Sequence, residues 1–171
     1  MSSAAPIYLV DADVLMQAHR SYYGFPICPG FWDCLLENHS RGRVLSIDRV
    51  KTEIAPGDAL SRWVEDEAPE TFFAATTEAA TIASFSRLMG WVQAHRQFTN
   101  AGKEQFARAA DGWLAAYAHA HPNHIVVTME ARAPGAKARV PLPTVCDEAG
   151  VKPINTFEML EELGASFVLE T

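Results

Sequence analysis

Residues Ile7–Val10 form a short apolar run closed by Asp11. That pattern predicts a strand buried in a parallel sheet rather than one with a solvent face. Asp13 stands where a helix N-cap is wanted, ahead of Val14–Ala18. A loop rich in aromatics and prolines covers Gly24–Gly30, and Pro29 opens a helix with Phe31, Trp32, Leu35 and Leu36 at helical spacing. Gly42 ends that helix, and Val44–Ile47 is too short to assign. Asp48 is placed to cap a short helix through Val50 and Ile54, which Pro56 and Gly57 stop, and another short helix is expected over Asp58–Glu67. Thr71–Ala74 predicts a small strand. Glu78–His95 and Gly102–Ala120 read as two long helices parted at Thr99 and Asn100. In the second, Phe106, Ala110, Trp113, Leu114 and Tyr117 make one apolar stripe. His124–Thr128 is a strong strand prediction, because three consecutive β-branched residues favour a pleated surface. Ala133–Pro143 reads as a loop, Thr144 as the cap of a helix to Ala149, Val151–Ile154 as a last parallel strand and Phe157–Leu163 as a terminal helix. Strands alternating with helices, without a repeat or a long linker, predict one α/β domain over residues 1–171. Its central sheet is expected to be mostly parallel and flanked by helices, with residues 1–6 a flexible N-terminus.

Composition changes the picture through charge. Against 14 Lys and Arg stand 21 Asp and Glu, for a formal net charge of -7. Such a balance argues against a protein that holds nucleic acid mainly by a basic surface. It leaves a nuclease open, because bound divalent ions can carry the positive charge at the site. The excess is uneven: Trp63–Ser86 contains Glu65, Asp66, Glu67, Glu70 and Glu78 but no Lys or Arg. That stretch is expected to face away from any bound nucleic acid and to suit either a basic partner or solubility. The start lacks the basic and long apolar regions of a signal peptide. Cys28, Cys34 and Cys146 include no C-x-x-C pair, which fits free thiols in a reducing compartment. A cytoplasmic protein with no membrane span is expected.

Ligands of such folds sit beyond the carboxyl ends of the strands. Asp11 follows the first strand at that edge, and Glu130 lies just after Thr128 at the end of another. Asp111 borders the apolar stripe of its helix, and Glu53 holds a similar border position beside Val50 and Ile54. Four acids aimed at one point repel unless a cation lies between them. Hard ions such as Mg²⁺ and Mn²⁺ select carboxylate oxygens and can activate water for phosphodiester cleavage. Two basic groups flank these acids, Arg41, Arg43, Arg49 and Lys51 near Glu53, and Arg132, Lys137 and Arg139 after Glu130. Each reads either as a phosphate-holding group or as a solvated face. Tyr22, Tyr23 and Phe25 are open to base stacking or loop anchoring, whereas Phe31 and Trp32 are expected in the core. His119, His121 and His124 are expected at a helix end and loop, away from the chemistry.

In order along the chain, Leu9–Asp13, Val50–Ile54, Ala110–Ala118 and Val126–Glu130 resemble the acidic motifs of the PIN domain, a three-layer α/β fold of metal-dependent nucleases. Tyr22–Trp32 and Val140–Cys146 followed by Gly150 and Val151 are similar to a PIN-like subfamily catalogued as a domain of unknown function. The resemblance spans nearly the whole chain. It implies Asp11, Glu53 and Asp111 as carboxylates for one or two Mg²⁺ or Mn²⁺ ions, and Glu130 in the variable fourth place. It also implies Asp13 as a further ligand or helix cap, and Thr128 as a site hydroxyl bonded to Asp11 or to water of the ion. The function it implies is that of an endoribonuclease toxin of a bacterial type II toxin–antitoxin system. RNA would be the substrate, an antitoxin protein the silencing partner, and a homodimer is left open. Two other readings stand beside it. Asp11 and Asp13, with Thr128, Lys137 and Asp147, also resemble the motifs of a haloacid-dehalogenase-like phosphatase. A PIN-like fold kept as a non-catalytic protein-binding module is the third.

Overall fold

A computed structural model describes residues 4–171, so the first half of the expected flexible N-terminus lies outside the described residues. Residues 4–6 enter the sheet without regular structure, and the Pro6 carbonyl accepts a hydrogen bond from Arg43 Nε at 2.9 Å. Five strands follow: β1 (Ile7–Val10), β2 (Val44–Ile47), β3 (Phe73–Ala74), β4 (His124–Val127) and β5 (Pro153–Ile154). They form one sheet in the order β3-β2-β1-β4-β5, with every neighbouring pair parallel. The expected mostly parallel sheet is therefore wholly parallel among the described residues. Val44–Ile47, too short to assign from sequence, earns its strand by pairing with the central β1.

Nine α-helices flank the sheet among the described residues, consistent with a PIN-like three-layer arrangement. These are α1 (Ala12–Gln17), α2 (Pro29–Ser40), α3 (Asp48–Glu53), α4 (Ala59–Arg62), α5 (Ala79–Ala94), α6 (Asn100–Arg108), α7 (Asp111–Ala120), α8 (Leu142–Ala149) and α9 (Thr156–Glu162). The chain moves from β1 to β2 in one direction across the sheet and from β4 to β5 in the other. Right-handed crossovers then put the two sets of connecting helices on opposite faces. Helices α5, α6, α7 and α8 pack on one another in one of those layers. No helix among the described residues is long and apolar enough to cross a membrane.

Several caps differ from expectation. Asp11, not Asp13, caps α1, its Oδ1 accepting from Ala12 N at 2.6 Å. Asp13 lies within the first turn, where a negative charge is still favourable. Asp48 is itself the first residue of α3, and its carboxylate takes the Thr76 amide and hydroxyl instead. Helix α8 starts at Leu142, so Thr144 is inside it. The largest departure is the helix expected over Gly102–Ala120, which is two. Ala109 is extended (ψ 163°), ending α6, and α7 starts at Asp111. The reason is a competing acceptor: Ala110 N donates to Glu53 Oε1 at 2.7 Å, across 57 positions of sequence. The stripe still reaches the core, since Phe106, Ala110, Leu114 and Tyr117 are buried on both sides of the break.

Phe31 and Trp32 are core, as their spacing predicts. The aromatic loop folds onto them, with Tyr23 stacked on Phe31 at 4.6 Å and Phe25 on Trp32 at 4.1 Å between ring centroids. The Trp32 indole N–H donates to the Tyr23 carbonyl at 2.7 Å. Tyr22 alone of this group is exposed. The centre of the core is β1, where Leu9 has no exposed surface and strands lie on both sides. Leu9→Ala is expected to cost about 2–5 kcal/mol through lost transfer energy and a cavity. A urea unfolding curve with an unchanged midpoint would contradict this placement.

Candidate functional site

Parallel pairing decides what stands at the carboxyl edge of the sheet. Val10 is in register with Val127, so the residues that follow them, Asp11 and Thr128, emerge side by side. Asp11 N donates to the Val127 carbonyl, and Thr128 N to the Ile154 carbonyl, each at 2.9 Å. Strands β1 and β4 are also where the strand order reverses, the position at which doubly wound sheets open a crevice.

Thr128 is the hub. Its hydroxyl lies 3.1 Å from both Asp11 Oδ2 and Asp13 Oδ2, sharing one hydrogen between two carboxylates. It accepts from Glu130 N at 3.1 Å, and Met129 N donates to Asp13. Asp13 is therefore tied to the loop after β4 as well as to α1. Glu53 reaches the same edge from the end of α3, and by accepting from Ala110 N it sets where α7 starts. That start is Asp111. Among the described residues, nothing donates a hydrogen bond to its carboxylate, which lines a cavity of about 110 Å³ with Glu130, Arg139 and Phe106. Glu130 is held from the other side by Leu142 N at 3.2 Å and by an ion pair with Arg139.

The acids crowd one another. Burial, then the charges of Asp13 and Asp111, hold the Asp11 carboxyl well above the usual range. Burial, then Glu130, Glu53 and Asp13, push Asp111 up to about 7, with Arg139 opposing. Asp13 and Glu130 are also raised, chiefly by burial. The residues predicted from sequence, Asp11, Asp13, Glu53, Asp111, Thr128 and Glu130, thus share one electrostatic neighbourhood. They are not drawn into a ligating shell: among the described residues, no three His, Cys, Asp or Glu side chains converge closely enough to hold one ion as they stand.

Other candidates fall elsewhere. Arg41 pairs with Glu37, Arg43 lies over Tyr8, and Arg49 bonds Thr76 while stacking on Trp113 at 4.4 Å. Arg132 pairs with Asp147, and neither Lys137 nor Asp147 pairs with Asp11 or Asp13 among the described residues. Of the phosphatase-like order of residues, Thr128 meets Asp11 and Asp13, whereas Lys137 and Asp147 make no hydrogen bond or ion pair with them among the described residues. His119, His121 and His124 line a cavity of about 510 Å³ at the amino end of β4, the opposite edge of the sheet. Cys146 is buried, Cys28 and Cys34 are half-buried, and all three are free. The aids that sequence reasoning missed are backbone donors, Met129 N, Leu142 N and Ala110 N, which carry no residue-type signal.

The model of one family, Domain of unknown function (DUF4411), matches residues 8–167. The chain belongs to this family. No curated protein and no solved structure matches the chain. The matched span of this DUF4411 chain runs from Tyr8, three residues before Asp11, to Phe167, and so contains every acid of the cluster.

The raised pKa of Asp111, from burial first and from its acidic neighbours second, has a measurable sign. An unfolded Asp111 titrates near 3.8, so between about 4 and 7 the folded chain keeps a proton that the unfolded chain has lost. Stability without divalent ions therefore falls as pH rises through that window. Asp111→Asn is expected to remove this loss. At pH 8 its Tm should exceed that of the parent by several degrees, at about 2–4 °C per kcal/mol for this size, and the two should converge near pH 4. Equal melting curves at pH 8 would dismiss the cost of ionising Asp111 in this half-buried, acidic setting.

Proposed function

We propose that the protein is a metal-dependent endoribonuclease that hydrolyses RNA phosphodiester bonds with Mg²⁺ or Mn²⁺. The observation that carries this reading is the gathering of mutually repelling carboxylates at the strand-order reversal, with a single basic side chain, Arg139, paired into them among the described residues. Asp11 is buried, Asp13, Asp111 and Glu130 are half-buried, and Glu53 is exposed. An all-oxygen, multiply negative donor set suits a hard divalent cation rather than a soft one. Asp11, Asp13, Glu53, Asp111 and Glu130 are the residues to hold it. When bound, such an ion supplies positive charge against the phosphodiester and lowers the pKa of water.

The chain's own contributions are positional. Thr128 keeps Asp11 and Asp13 together, and Glu53 fixes Asp111 by ending α6 where it does. Helix α1 and the sheet exclude water from Asp11, which is 5% exposed. A buried, helix-capping Asp11 is poorly placed as the nucleophile that the phosphatase reading requires. In line with the PIN resemblance, we assign the protein to the toxin side of a toxin–antitoxin pair. The exposed acidic residues Glu65, Asp66, Glu67, Glu70 and Glu78 suit a basic antitoxin.

The test is single-stranded RNA and a small phosphomonoester, each with Mg²⁺ or Mn²⁺, beside Asp13→Ala and Asp111→Asn. RNA cleavage by the parent is expected, with a drop of at least about 100-fold in Asp111→Asn, equivalent to about 3 kcal/mol of barrier. Full nuclease activity in that variant would remove Asp111 from the site. Phosphomonoester hydrolysis lost only with Asp13 would move the assignment to a phosphatase, and inactivity with either ion would favour a binding module.

A further inference from the structure

Arg139 is the basic side chain that the fold inserts among the acids, and the loop carrying it is fastened down. Gln97 Nε2 donates to the Pro134 and Ala136 carbonyls at 2.8 and 2.7 Å. Thr99 N donates to the Lys137 carbonyl at 2.9 Å. At Gly102, in the first turn of α6, a Cβ would lie 2.8 Å from the Ala138 carbonyl oxygen, so only glycine lets the loop come this near. These fasteners end one residue before Arg139. The guanidinium then reaches back to Glu130, whose side chain is 15% exposed although that of Arg139 is 52% exposed. Both line the cavity they share with Asp111.

Surface arginines ordinarily move freely, and an exposed ion pair contributes little. Here the loop has given up its freedom in advance, and one partner is mostly shielded from water. We propose that Arg139 is a tethered counter-ion, which holds Glu130 in the resting protein and competes with a divalent cation for it. The inference rests on the cation site proposed above and adds to it a regulation: the loop sets how much free cation is needed to load the carboxylates. Glu130 has two oxygens, and both are engaged, Oε1 by Arg139 and Oε2 by the Leu142 amide. An ion that recruits Glu130 through a remaining lone pair would still face the guanidinium charge at close range, so its binding and the Arg139 ion pair oppose each other. The Leu142 amide is fixed in the backbone at the start of α8, which leaves the Arg139 side chain as the contact that yields.

The experiment is calorimetric titration of the full chain, stripped of divalent ions, with MnCl2. Arg139→Gln is expected to bind Mn²⁺ about fivefold more tightly than the parent, about 1 kcal/mol, the size of a partly exposed ion pair. Arg139→Lys keeps the charge and should stay near the parent. Gly102→Ala keeps every charged group but pushes the loop, and Arg139 with it, away from Glu130, and should also tighten Mn²⁺ binding. Without divalent ions at pH 8, Arg139→Gln should melt below the parent, because the acids lose their internal counter-charge. Mn²⁺ binding by the parent with equal or weaker binding by Arg139→Gln overturns the competition while leaving the cation site intact. Absence of Mn²⁺ binding in all four chains overturns the cation site itself, and the competition with it.

Discussion

The register between β1 and β4 is the constraint from which the site follows. Pairing Val10 with Val127 places Asp11 beside Thr128 at the edge of the sheet. Side chains alternate along a strand, so a slip of one residue would reverse the faces of the whole strand. Leu9 and Val126, both without exposed surface, make that slip expensive. The apolar centre of the sheet thus holds the polar edge in place, although no residue of that centre touches the cavity beside Asp111.

The same arrangement is electrostatically uncomfortable, and the comfort it lacks is informative. A fold selected for stability alone would have little reason to gather acids where water is scarce. Backbone amides relieve part of the load: Ala12 for Asp11, Met129 for Asp13, Ala110 for Glu53 and Leu142 for Glu130. Asp111 receives no such help among the described residues and carries the pKa of about 7. The net charge of -7 is therefore not a uniform solvating coat. Some of it is concentrated where the chain can least disperse it.

Local signals in the sequence marked the elements well and their ends poorly. An apolar run closed by an acid identified β1, consecutive β-branched residues identified β4, and helical spacing identified α2. The break between α6 and α7 was hidden because its cause is Glu53, a residue on a different helix. Nothing in Ala109 or Ala110 themselves argues against a continuous helix. The caps misread at Asp13, Asp48 and Thr144 share a different cause. Each residue type is suited to capping, but a neighbour won the position or a distant partner took the side chain. Charge clusters were the least legible feature. Arg132 and Arg139 look alike in sequence, and one pairs with Asp147 while the other enters the cavity of Asp111.

The central position of β1 also orders events during synthesis. Its residues leave the ribosome before those of the other four strands, yet its two sheet partners begin at Val44 and at His124. Until the second arrives, β1 has one open edge, and closing the sheet requires a contact across most of the chain, a slow step by the logic of loop closure. A nascent chain that carries β1 and β2 but stops short of His124 has Asp11 but neither Thr128 nor Glu130. The carboxylate cluster consequently waits for β4: until the sheet closes on its far strand, the acids have no common edge to share.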